Sequence, residues 1–287
     1  MSPLIQDEFS LDLDALTVDE AKRGDLVLSC PTWHTEIQGS VCRFFRMGVK
    51  VPLRPDSERK IIGIWSMQSR MRLLRLLNKI DYPMLGPSVF VTLTYPDRVQ
   101  VEGYGERSQH RAVFLRYVEK YLSRNVACIW RIEWEERKSG AYTGKLAPHF
   151  HLMLLNVPFL PHERVREWWR QAIQAGDGPL VSEVKRIKNV NGVARYLSKY
   201  VSKYRSLDIS TYHNSPIKFG RHWGVCRPEL VPLCPVRVAR QLTKEEVAQI
   251  QAFARRRWPM YDENGSGGFT LLGEKFAKRF GKWLDLP

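Results

Sequence analysis

From residue 88 onward the apolar positions switch between two rhythms. SVFVTLTYP (88–96) is rich in β-branched and aromatic residues and closes on a proline, which predicts a strand. Residues 108–124 (SQHRAVFLRYVEKYLSR) set Val113, Leu115, Tyr117, Val118 and Leu122 along a helical stripe. NVACIWRIEWEE (125–136) and HFHLMLLNV (149–157) predict a second and a third strand. A helix over 161–175 opens with Pro161, a favourable first-turn residue, and contains Trp168 and Trp169. PLVSEVKRI (179–187) predicts a fourth strand, followed by a helix through YLSKYVSKY (196–204) whose buried stripe is Val193, Leu197 and Val201. The order β-α-β-β-α-β-α predicts an α+β unit of the split βαβ type, with helices packed on a mostly antiparallel sheet.

The flanks are less regular. Residues 1–25 lean acidic and read as an arm, and 26–60 alternate short apolar pieces with Pro and Gly as a lead-in. IIGIWSMQSRMRLLRLLNKI (61–80) reads as a basic amphipathic helix, broken by DYPMLGP. Past 205 the pattern is irregular, with a helix expected at 243–256 and a basic tail, EKFAKRFGKWLDLP. The expected organisation is an arm and lead-in at 1–60, a principal domain at 61–225 with its motif core at 88–204, and a basic extension at 226–287.

Charge changes this picture more than size does. The 287 residues hold 45 Lys and Arg against 30 Asp and Glu, a net +15, with a pI near 9.7. Such an excess points to a polyanionic partner, most often nucleic acid. No apolar run reaches the ~18 residues that a spanning helix needs, and the acidic N-terminus lacks a signal-peptide pattern. A cytoplasmic protein without membrane contact is expected. Five cysteines, an odd number without CxxC spacing, argue against a disulfide framework or a cysteine zinc site and for free thiols.

The candidate chemistry begins with His149-Phe150-His151. Side chains alternate on a strand, so both imidazoles share one face, about 7 Å apart by the strand rise. Two imidazoles so placed can converge on one metal. In Trp130-Arg131-Ile132-Glu133-Trp134-Glu135-Glu136, Glu133 and Glu135 also share a face, and a hairpin with the histidine strand brings one of them beside the imidazoles. Either glutamate completes a three-ligand site with open positions, suited to a divalent ion held against a substrate oxygen. Mg²⁺ or Mn²⁺ fits a phosphate substrate, and Zn²⁺ stays open.

On the last helix Tyr196 and Tyr200 lie one turn apart, flanked by Lys199 and Lys203, while Tyr204 drifts to about 80° from Tyr196. Packing beside a core stripe would account for tyrosines at this spacing. A phenol with a reference pKa of about 10 is a poor nucleophile unless its phenolate is stabilised. Neighbouring lysines and a metal-polarised phosphate supply that stabilisation.

Taken together, Phe90-Val91-Thr92-Leu93-Thr94-Tyr95, His149-Phe150-His151 and Tyr196-x-x-Lys199-Tyr200-x-x-Lys203 resemble the three motifs of the HUH endonuclease superfamily, in the family's order. Phe219-Gly220-Arg221-His222-Trp223-Gly224-Val225 is similar to the Trp-Gly signature of its bacterial and phage members. The resemblance is to rolling-circle replication initiators of phages and plasmids with two tyrosines. It implies an RRM-like HUH fold with a central antiparallel sheet flanked by helices, and an endonuclease that nicks and joins single-stranded DNA through a 5′-phosphotyrosine. By position it assigns the first attack to Tyr200 and the second to Tyr196. Phosphate contacts fall to Lys203 and Lys199. A divalent metal, Mg²⁺ or Mn²⁺, falls to His149, His151 and Glu133, with Glu135 as the fallback. The implied partners are single-stranded or hairpin origin DNA and a host helicase and polymerase.

Two departures qualify it. The turn before the histidines, 138–148, is longer than the family's short Gly-Ala-Pro turn, so the hairpin register and the choice of glutamate stay open. There is also no G-x-x-x-x-G-K-[ST] loop, so unwinding is left to a partner. A transposase or plasmid relaxase shares the chemistry. A non-catalytic single-strand binder is the reading from another class.

Overall fold

The structure is a computed structural model that describes residues 32–47, 67–101, 103–187, 219–257 and 268–284. In chain order its elements open with β1 (Thr32–Gln38), β2 (Val41–Met47), α1 (Met67–Lys79), β3 (Val89–Thr94), α2 (Tyr104–Leu122), β4 (Cys128–Glu136) and β5 (Leu146–Leu154). They continue with α3 (His162–Ala172), β6 (Ser182–Arg186), β7 (Trp223–Cys226), β8 (Val236–Gln241), α4 (Lys244–Arg257), β9 (Gly268–Leu272) and α5 (Glu274–Trp283). The chain divides into two compact units. A central unit takes the described residues of 82–232, and a flanking unit those of 32–47, 67–81 and 233–284. The fold class is α+β. Among the described residues no helix is long and apolar enough to cross a membrane.

The central sheet has the order β6-β3-β5-β4-β7, every neighbouring pair antiparallel. Because β5 lies between them, β3 and β4 run parallel with α2 as their crossover, which is a split βαβ arrangement. Alternation sends Val91, Leu93, Trp130, Ile132, Phe150 and Leu152 to one face, where they form a core with Phe114 and Val118 of α2 and Val165 and Trp169 of α3. Trp169 is fully buried. Its indole N–H donates to the Thr94 carbonyl at 2.9 Å, and its ring meets Tyr95, Phe114 and Phe150 edge-on.

Three boundaries differ from the sequence expectation, each for a physical reason. α2 begins at Tyr104, a full turn before residue 108, because Arg107 and Arg111 point inward rather than to solvent. Their guanidinium carbons lie 4.8 Å from the Trp134 ring centroid and 3.9 Å from that of Trp130, so buried tryptophan faces receive the charge. β5 begins at Leu146 rather than His149 and runs through Pro148. Pro148 pairs with Trp134 of β4, but β3 reaches only as far as His149, so the missing proline N–H interrupts no ladder on that side. α3 begins at His162, with Pro161 as the extended N-cap (ψ 133°) rather than the first helical residue.

The flanking unit gathers segments distant in sequence into a second antiparallel sheet, β8-β1-β2-β9. The two central strands join through a two-residue turn in which Gly39 takes φ +57°. A Cβ there would meet the Asn78 carbonyl oxygen at 2.6 Å. Ile37, Cys42, Phe44, Phe269 and Leu271 share a face and pack with Ile250 and Ala254 of α4 and Ala277 and Phe280 of α5. α4 starts with a reciprocal cap: the Glu246 N–H donates to Thr243 Oγ1 at 3.2 Å and the Thr243 N–H to Glu246 Oε2 at 2.8 Å. The residues expected to be a basic tail are thus the strand-fed helix α5, and the lead-in contributes β1 and β2. The 61–80 helix, described from Met67, groups with this unit rather than with the motif core. Cys42, Cys128, Cys226 and Cys234 are free thiols.

Candidate active site

The second face of the central sheet carries the polar residues that alternate with the core. Three adjacent strands bring Thr92 and Thr94 of β3, His149 and His151 of β5, and Glu133 and Glu135 of β4 to one side. The long turn does not disturb pairing: the Arg137 N–H donates to the Lys145 carbonyl and the Gly144 N–H to the Arg137 carbonyl, extending the hairpin. Register sets Glu133 directly opposite His149, yet the side chains pair on the diagonal. His151 Nε2 lies 3.0 Å from Glu133 Oε2, a hydrogen bond in which the imidazole N–H donates to the carboxylate. His149 Nε2 lies 3.7 Å from Glu135 Oε2, at ion-pair rather than hydrogen-bond distance.

The other ring nitrogens face β3. His149 Nδ1 is 3.0 Å from Thr94 Oγ1, and His151 Nδ1 is 3.3 Å from Thr92 Oγ1. Two lines of threonine, histidine and glutamate therefore cross the sheet side by side. Each hydroxyl fixes its ring and turns Nε2 toward the carboxylates. Sequence reading gives these threonines no role of their own, although their period-two spacing matches that of the histidines.

The two lines differ in environment. His151 and Glu133 are both buried, whereas Glu135 is exposed. The Phe90 ring stacks on His151, with centroids 5.9 Å apart, and Arg131 is buried directly opposite His151 in the ladder. Burial holds the His149 imidazole below the usual histidine range, with the Glu135 carboxylate opposing. At the inner edge His222 accepts the Ile132 N–H through its carbonyl at 2.8 Å. Burial, with the Arg131 and Arg107 charges, lowers its imidazole to about 4, so it is neutral near pH 7.

The Trp-Gly segment forms edge strand β7. Gly224 has a steric reason: a Cβ there would approach the Trp130 ring to 2.7 Å. Arg137, also missed by sequence reading, is buried and clamps the chain after β3, donating to Asp97 Oδ1 at 2.9 Å and to the Val99 carbonyl at 2.7 Å. Tyr196, Lys199, Tyr200 and Lys203 lie outside the described residues.

Two imidazoles whose Nδ1 atoms are held by hydroxyls, with two carboxylates beside their Nε2 atoms, are a donor set suited to a divalent cation. The side chains stand hydrogen-bonded to one another, and no group of three His, Cys, Asp or Glu among the described residues converges on a common point. The donor chemistry fits a metal, and the carboxylate and imidazole of the 3.0 Å pair would both have to turn toward it.

Comparison with known proteins adds one finding. Residues 88–205 match the model of a family described as replication-associated protein, of the ORF2 type. That span contains both threonine, histidine and glutamate lines and supports a replication-associated role. No curated protein and no solved structure matches the chain.

Proposed function

We propose that the central unit nicks and rejoins single-stranded DNA to start and end rolling-circle replication of a small circular DNA. The observation that carries this reading is the pair of parallel lines Thr94–His149–Glu135 and Thr92–His151–Glu133, within the stretch that matches a replication-associated family. Neither a core-packing role nor simple strand binding requires two histidines oriented from behind and faced by carboxylates.

In this reading His149, His151 and Glu133 hold Mg²⁺ or Mn²⁺, with Glu135 as the alternative oxygen donor. When bound, such an ion polarises a phosphate oxygen of the substrate. Thr92 and Thr94 keep the imidazoles in the tautomer that presents Nε2. The phenol oxygen of Tyr200 attacks the scissile phosphorus. The bond to the 3′ oxygen breaks, that oxygen takes a proton, and the 5′ phosphate remains on tyrosine as a diester. The free 3′-OH primes synthesis. Tyr196 or the 3′-OH later attacks the phosphotyrosine and restores the phosphodiester without an external energy source. Lys203 and Lys199 balance phosphate charge. Unwinding and synthesis belong to a host helicase and polymerase. A transposase or plasmid relaxase would use the same steps on other DNA ends.

The test is label transfer. A 5′-labelled scissile phosphate in single-stranded hairpin oligonucleotides is incubated with the protein and Mn²⁺, and the products are run on a denaturing protein gel. Label on the wild-type protein and none on Tyr196→Phe/Tyr200→Phe supports the assignment. Binding without transfer across a pool of origin hairpins would leave a non-catalytic binder.

A further inference from the structure

In the flanking unit a groove of about 290 Å³ opens between α4 and α5, outside the stretch that matches the replication-associated family. Its floor is apolar, with Ile250 and Phe280 buried. Phe253 and Trp283 line it and are half-buried, so each still presents part of its ring. The rings are held in place. Trp283 Nε1 donates to Gln249 Oε1 at 2.8 Å, and Phe280 meets Phe253 and Trp283 edge-on at 5.5 and 6.0 Å. Arg256 and Arg279, both exposed, stand one on each helix at its border.

The charge around the groove is one-sided. Arg255, Arg256 and Arg257 end α4, and α5 carries Lys275, Lys278, Arg279 and Lys282. The acidic residues of both helices are confined to the first turns, at Glu245, Glu246 and Glu274. Dipole compensation accounts for arginines in the last turn of α4. It does not account for Arg279 in the middle of α5, nor for aromatic rings left half-covered between arginines.

We propose that this groove binds single-stranded DNA, seating an unstacked base against Trp283 and Phe253 while Arg256 and Arg279 contact the flanking phosphates. Aromatic faces interleaved with arginine suit single strands, because every base offers a π-face once it is unstacked. A duplex keeps its bases stacked inside and would engage only the cations. An acidic peptide would likewise leave the rings without a partner of their own kind. The groove would hold displaced strand without taking part in phosphoryl transfer, so it does not depend on the nicking chemistry.

The test uses the full chain carrying Tyr196→Phe/Tyr200→Phe, so that covalent capture cannot contribute. Fluorescence anisotropy follows binding of a fluorescent dT15, with a blunt duplex and polyglutamate as competitors. Trp283→Ala is expected to weaken dT15 binding about tenfold, the size of one lost base–aromatic stack. Arg256→Glu/Arg279→Glu, at exposed positions, is expected to weaken it by more than tenfold with the melting temperature unchanged. A 5-iodouracil version of the oligonucleotide should crosslink to Trp283 or Phe253. Affinity of the arginine pair within twofold of its parent would overturn the proposal. So would an equal loss of duplex or polyglutamate binding, or crosslinks that map only outside α4 and α5. Nicking by the unmutated chain is scored separately, so either reading can fail alone.

Discussion

The described residues of the central unit carry 17 Lys and Arg against 11 Asp and Glu, whereas those of the smaller flanking unit carry 16 against five. In the central unit charge is arranged pairwise. Carboxylates face imidazoles on β4 and β5, Arg137 meets Asp97, and Arg107 and Arg111 lie on tryptophan rings. In the flanking unit charge accumulates on helix surfaces over an apolar core. Buried, partnered groups suit a reaction that needs fixed geometry. Exposed like charges suit a polyanion whose position is set by contacts along its length. The net +15 of the chain therefore says little about its chemistry and more about how DNA is held.

Substitutions that separate chemistry from holding test this contrast. The largest effect is expected for Tyr196→Phe/Tyr200→Phe, which should abolish transfer of label to protein while DNA affinity stays within a few fold. His151→Ala, or chelation of divalent ions with EDTA, should also reduce nicking below detection with affinity retained. A collapse of binding in His151→Ala would move the histidines from chemistry to DNA contact. Thr92→Val and Thr94→Val remove only the hydroxyls behind the imidazoles. Each should lower nicking or Mn²⁺ affinity by about 10–100-fold, the usual cost of losing a group that orients a ligand. The smallest effect is expected for Thr243→Ala at the cap of α4. Thermal or urea melting should show a loss of about 1 kcal/mol, with the nicking rate at saturating DNA unchanged.

The two units also differ in how far sequence reveals them. In the central unit the strands, the split βαβ order and the shared face of His149 and His151 follow from period-two alternation within single segments. The glutamate partners do not follow, because register depends on how residues 137–145 close the hairpin, and because the carboxylates lean one position along the ladder from their Cα partners. Pro148 conceals the start of β5, since only the early end of β3 exempts it from a ladder bond. Arg107 and Arg111 read as surface charges because nothing local shows that tryptophans from β4 receive them. In the flanking unit the pairing of β1 with β8 joins residues some 200 positions apart, which no local pattern encodes. α5 is legible in hindsight: Phe276, Ala277, Phe280 and Trp283 keep helical spacing beneath a basic surface that reads first as a tail.

The central claim is that a tyrosine of this chain becomes covalently linked to DNA beside the paired histidine lines. The direct measurement is mass spectrometry of tryptic peptides after incubation with a single-stranded origin oligonucleotide and Mn²⁺. The account expects a nucleotide adduct on the peptide containing Tyr196 and Tyr200, present in wild type and absent in His151→Ala. An adduct on another residue, or cleaved DNA with no adduct when the reaction is quenched at early times, would contradict it.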